Sequence, residues 1–75
     1  MTIEEQLGQN IKEKRIACGM SQFELAEKMG TEQTYISKLE AGKKKLRVDT
    51  VVRLALALNT TASDLLNGIA LQPDN

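Results

Sequence analysis

Apolar residues recur along this chain at helical spacing almost from its first residue. Ile3, Leu7 and Ile11 stand four apart, Ile16 closes the series, and Gly19 offers a stop, so a first helix is expected over about residues 3–17. Ser21 with Glu24 three positions later has the form of a capping box, in which each side chain satisfies an amide at the helix start. Met20 before the cap and Leu25 after it are placed as a hydrophobic staple. A second helix therefore starts near Gln22 and ends at Met29, ahead of Gly30. Thr31 is positioned to cap a third helix with Ile36 and Leu39 as its apolar stripe, ending near Ala41 before Gly42.

The pattern resumes after a basic loop. Val48, Val51, Leu54, Ala55 and Leu58 repeat at three and four residues and define a fourth amphipathic helix. Thr61 with Asp64 repeats the capping-box spacing and starts a short fifth helix carrying Leu65 and Leu66. No hairpin signal interrupts the series, and the one proline, Pro73, lies near the end. The expected fold is all-α, a compact five-helix domain over residues 1–68 with a tail at 69–75. A chain of 75 residues has room for one modest core and no second domain.

Composition narrows what such a domain does. Hydrophobic residues at 41% and charged residues at 27% are globular values, and aromatics at 3% leave the core to Leu, Ile, Val, Met and Ala. One cysteine, Cys18, and no histidine give no internal disulfide and no usual zinc ligand set, so no metal is expected. No apolar run approaches the roughly 20 residues of a membrane helix. The polar start at Thr2, Glu4, Glu5 and Gln6 is unlike a secretion signal, and a cytoplasmic protein without membrane contact is expected. With no histidine, no phosphate-cradling glycine loop and no room for a substantial pocket, an enzyme is not expected, nor is a cofactor or small-molecule ligand.

Lysine plus arginine and aspartate plus glutamate each number ten, for a net charge of zero, yet the charges are unevenly spread. Lys38, Lys43, Lys44, Lys45 and Arg47 put half of the basic residues within ten positions, with only Glu40 among them, while Glu4, Glu5 and Glu13 weight the N-terminal stretch with acid. For contact with phosphates it is this placement that matters. Just upstream, Ala26, Gly30 and Ile36 stand at the spacing A-x3-G-x5-I. The small residue allows close approach of two helices, the glycine makes the turn, and the β-branched wedge packs back toward Leu25, leaving the front of the third helix free.

KRIACGMSQFELAEKMG followed by YISKLEAGK resembles the lambda repressor and Cro type of helix-turn-helix domain, and the similarity extends over about residues 7–67. Glu40-Ala41-Gly42, the LALAL helix and Asp64-Leu65-Leu66 add to it. The resemblance implies a helix-turn-helix at 22–41 in a protein that binds double-stranded DNA, with the third helix in the major groove presenting Glu32, Gln33, Thr34, Ser37 and Lys38 to base edges. Those residue types suit base recognition, since Gln33 can bond adenine bidentately, Lys38 can donate to guanine, Glu32 can accept from cytosine, and Thr34 can meet a thymine methyl. Without the motif the same five would read as a solvated helix face.

The resemblance further implies phosphate contacts from Gln22, Tyr35, Lys43, Lys44, Lys45 and Arg47, and a pair between Arg15 and Glu40 that ties the first helix to the end of the third. Surface packing for Tyr35, and plain exposure for the other residues, are the alternative readings. Val52, Leu56, Ile69 and Leu71 are apolar residues in excess of what so small a core readily absorbs, and related regulators pair through the fourth and fifth helices, so a homodimer on a palindromic operator is expected; the alternative reading is that these side chains fill the core or fray. The competing class is a protein-contact module on the same fold, such as an antitoxin or a coactivator-like bridging factor. Among regulators, a phage-type repressor, a stand-alone regulator and a restriction-modification controller remain open, with the short chain leaning toward a controller or simple autoregulator.

Overall fold

A computed structural model describes residues 1–69 of the chain. Among them five helices follow one another with no strand: α1 (Ile3–Ala17), α2 (Gln22–Met29), α3 (Gln33–Glu40), α4 (Val48–Ala57) and α5 (Ala62–Leu65). Leu71, expected in a dimer surface, lies outside the described residues together with the rest of 70–75.

The helix starts are set by side chains. At α2, Ser21 Oγ accepts from the Glu24 amide at 3.0 Å while the Ser21 amide donates to Glu24 Oε1 at 2.9 Å, the reciprocal pair expected from the spacing. Thr2 and Glu5 form the same box at α1, which the apolar pattern did not signal. Two expectations are corrected. Thr61 caps α5 by accepting from the Asp64 amide, but Asp64 turns its carboxylate to the Thr60 hydroxyl at 2.8 Å, so the box there is half made. Thr31 does not cap α3; the N-cap is Glu32, whose side chain makes no capping bond. The reason lies in the preceding turn. Gly30, at φ +67, lets the amides of Gly30 and Thr31 close back onto Glu27 O and Ala26 O at 3.1 and 2.9 Å, which commits Thr31 to ending α2.

One core collects the apolar faces. Ile11 of α1, Leu25 of α2, Ile36 and Leu39 of α3, Leu54 of α4 and Leu65 of α5 are all fully buried. Some residues that kept the expected rhythm fall outside it. Ile16 comes five residues after Ile11 rather than four and turns to solvent, 58% exposed, while Arg15 takes the inward position. Val48, at the first turn of α4, is 82% exposed, and Ile3 and Leu66 are about half exposed. Gly8 explains how closely α1 lies on α3: a Cβ there would fall on the carbonyl oxygens of Leu39 and Glu40, 2.7 Å from the latter. Asn10 holds the last helix, its Nδ2 donating to Leu65 O and Asn67 O at 2.8 Å each.

Candidate nucleic-acid interface

The corner between α2 and α3 is built from the three residues that the spacing singled out. Ala26 is buried at the approach of the two helices, Ile36 is buried completely, and Gly30 occupies the left-handed region that other L-residues rarely adopt. A Cβ on Gly30 would meet nothing within 4 Å, so the turn needs glycine for its backbone angle and not for space.

With Ile36 and Leu39 turned inward, the opposite side of α3 is open. Gln33, Thr34, Ser37 and Lys38 are exposed on the helix and Glu32 is exposed at its N-cap. The structure thus brings together the five residues expected to face base edges. Because Glu32 caps nothing, its carboxylate is unengaged at the start of that face. Tyr35 is half-buried, its ring packed against the core. Lys43, Lys44 and Lys45 follow directly as an exposed run, anchored by the Lys43 amide bonding to Lys38 O at 3.0 Å. Arg47 is also exposed and lies 3.2 Å from Asp49 Oδ1, a solvated pair whose worth is small.

Behind the corner sits a buried charge network. Arg15 grips Glu40 bidentately, Nε to Oε2 at 2.6 Å and Nη2 to Oε1 at 3.0 Å, and its Nη1 donates to Met20 O at 2.8 Å. The side chains are 10% and 4% exposed. Hydrogen bonding to Glu40 holds the Arg15 guanidinium above its ordinary pKa against the opposing pull of burial. Glu40 Oε1 also accepts from Gln22 Nε2 at 3.0 Å, so one carboxylate joins residues of α1, α2 and α3. The Arg15–Glu40 pair was expected from the resemblance; the Gln22 link was not, because eighteen residues separate the partners and nothing in either local pattern relates them. Arg53 is a further unforeseen contributor, donating to Met29 O at 2.9 Å and so bracing the end of α2 from α4.

The residues expected at a dimer surface are dispersed. Val52 lies in an apolar groove with Ile3, Leu46, Val48 and Leu66, whereas Leu56, 75% exposed, borders Lys28 and Arg53 on another side of α4. Ile69 is half-buried against the core. Among the described residues no group of His, Cys, Asp and Glu is arranged to hold a metal ion, and no helix is long and apolar enough to cross a membrane.

The chain is similar to known proteins in sequence and in fold. The control protein C.SmaI of Serratia marcescens is 38% identical over 66 residues, which are 88% of this chain and 79% of that protein. Among solved structures, the restriction-modification controller protein C.AhdI from Aeromonas hydrophila superposes with a TM-score of 0.77 at 31% identity, over 81% of this chain and 92% of that one. The clp gene regulator ClgR from C. glutamicum superposes with a TM-score of 0.86 at 29% identity, over 88% and 85%. Residues 11–65, from the middle of α1 to the end of α5, match the profile of one family across the whole charge-locked corner, and the chain belongs to the helix-turn-helix family.

Proposed function

We propose that this chain is a sequence-specific transcriptional regulator that binds double-stranded DNA as a homodimer on a palindromic operator. The observation that carries the reading is the outward row Glu32, Gln33, Thr34, Ser37 and Lys38, held on a rigid corner and continuous with the exposed Lys43–Lys45 run. In this reading α3 enters the major groove, the row reads base edges, and the basic loop with Gln22, Tyr35 and Arg47 follows the sugar-phosphate backbone. In this reading Tyr35, half-buried against the core, contributes its hydroxyl. The domain occupies residues 1–68, and its role is binding and not catalysis. The similarity to C.SmaI and C.AhdI, named as control and controller proteins, favours a controller of a restriction-modification system among the possible settings.

Selection of bound duplexes from a random library, followed by salt titration of the winning site, tests the proposal. A palindromic winner, with log affinity falling linearly in log salt, is expected. Failure to retain any duplex at low ionic strength overturns it and returns the fold to protein contacts.

A further inference from the structure

We propose that Glu40 is a positioning residue for DNA binding: acting through Gln22, it holds that side chain in its phosphate-binding pose before any duplex arrives. The inference rests on the reading of Gln22 as a phosphate contact. Gln22 is the first residue of α2, where the orphan amides of a helix start already face outward. Its side chain is rotamer-rich and would ordinarily have to be immobilised on binding. Here Nε2 is already bonded to Glu40 Oε1 at 3.0 Å, and among the described residues its second N–H has no protein acceptor and is left for an incoming phosphate oxygen.

A bare carboxylate so near would repel that phosphate, and this is where Arg15 matters. Its bidentate grip neutralises Glu40, and the Met20 carbonyl fixes the guanidinium in turn, so the carboxylate acts on Gln22 as an oriented acceptor with little net charge. The chain of bonds runs from the loop before α2, through α1 and the end of α3, back to the first residue of α2. It sets the amide by the same contacts that lock the corner.

Glu40→Gln keeps the shape but leaves one acceptor oxygen where the carboxylate has two. With that oxygen turned to Arg15 Nε, an NH2 group faces Gln22 Nε2 and cannot accept from it, and in the opposite orientation the NH2 group faces Arg15 Nε. Duplex affinity of the wild type, Gln22→Ala, Glu40→Gln and the double variant is measured by fluorescence anisotropy, at a temperature where circular dichroism shows all four folded. Glu40→Gln is expected to weaken binding about 2- to 10-fold in the wild-type background and by much less in the Gln22→Ala background, the non-additivity of residues that act as a unit. An equal loss in both backgrounds makes Glu40 a purely structural residue and overturns the inference. A Gln22→Ala variant that binds as well as the wild type also overturns it, while leaving DNA binding intact; a wild type that retains no duplex removes both readings together. If Glu40→Gln does not fold, NMR relaxation of the Gln22 side-chain amide in the free wild-type protein decides instead. An amide already rigid without DNA is expected, and one that averages freely until duplex is added refutes the proposal.

Discussion

Glu40 shows how much one side chain can carry in so small a domain. Its carboxylate accepts three hydrogen bonds from Arg15 and Gln22 at 4% side-chain exposure. Removing it leaves a buried guanidinium with the Met20 carbonyl as its one remaining hydrogen-bond partner among the described residues and no counter-charge, so Glu40→Ala should destabilise the fold by about 3–5 kcal/mol, read as a lower urea midpoint at unchanged slope. Glu13→Ala, on the exposed side of α1, supplies the control, and equal melting of the two variants would refute the pairing. The residues that make the corner were legible in the sequence because each answers to a local rule: Ala26 to close approach, Gly30 to its backbone angle, Ile36 to helical spacing. Gly8 and the Gln22 link were not legible, since what they touch is α3, about thirty residues on from Gly8 and eighteen from Gln22, and no local pattern reports it. The specificity of the exposed row is likewise a matter of single side chains. Gln33→Ala should alter which duplex is selected, whereas Lys44→Ala should weaken all duplexes alike and flatten the salt slope by about one unit; the reverse assignment would displace α3 from the groove.

Helices this short depend on their ends. α2 and α3 have eight residues each and α5 has four, lengths at which isolated helices do not persist in water, so caps and core contacts decide whether they form. The two complete capping boxes make this dependence titratable. Hydrogen bonds from the Thr2 backbone amide, and next from its side chain, hold Glu5 below the ordinary carboxylate value of 4.5, and those from Ser21 do the same for Glu24. A folded-state value below the unfolded one contributes stability that is complete above 4.5 and fades as pH falls through the lowered values. The melting temperature should therefore decline on acidification from pH about 5 downward, and the Glu5→Gln, Glu24→Gln double variant, which keeps a capping group that does not titrate, should decline less steeply. Parallel curves would place the acid sensitivity elsewhere. At this scale the sequence was most readable, because capping and termination are written in residues three or four apart. It misled at α3, where Thr31 looked like the cap but is consumed in ending α2, and at α5, where Asp64 has a competing partner in Thr60 that the box spacing conceals.

A net charge of zero hides a molecule with one basic edge, and its apolar surface is as unevenly placed as its charge. The core takes one stripe from every helix, yet Ile3, Val52 and Leu66 remain about half exposed and Val48 largely so, and the four line one groove between the first turn of α1, α4 and the end of α5. The periodicity of α4 pointed to Val48, Val51, Leu54, Ala55 and Leu58, of which all but Val48 are buried, but the partition of the remaining apolar residues between core, groove and open surface depends on where α1 and α5 lie, which no spacing within α4 encodes. The proposed homodimer would cover that groove. It would also offset the small basic surface of a single copy of zero net charge, because two linked copies would add their contacts on one operator. Placing two α3 helices about 34 Å apart, one turn of duplex, requires the pairing to be specific and two-fold. Val52 is 44% exposed, so Val52→Glu should leave the helix content of a single copy nearly unchanged while placing one charge from each copy in the proposed pairing surface. Sedimentation at tens of micromolar should then give a monomer where the wild type gives a dimer. Binding to the full palindrome should weaken by at least about 10²-fold, the avidity that linkage of two half-site contacts supplies, whereas binding to an isolated half-site should hardly change. A Val52→Glu protein that still sediments as a dimer would move the pairing surface off this groove, and Leu56, on another side of α4, would be the next position to test.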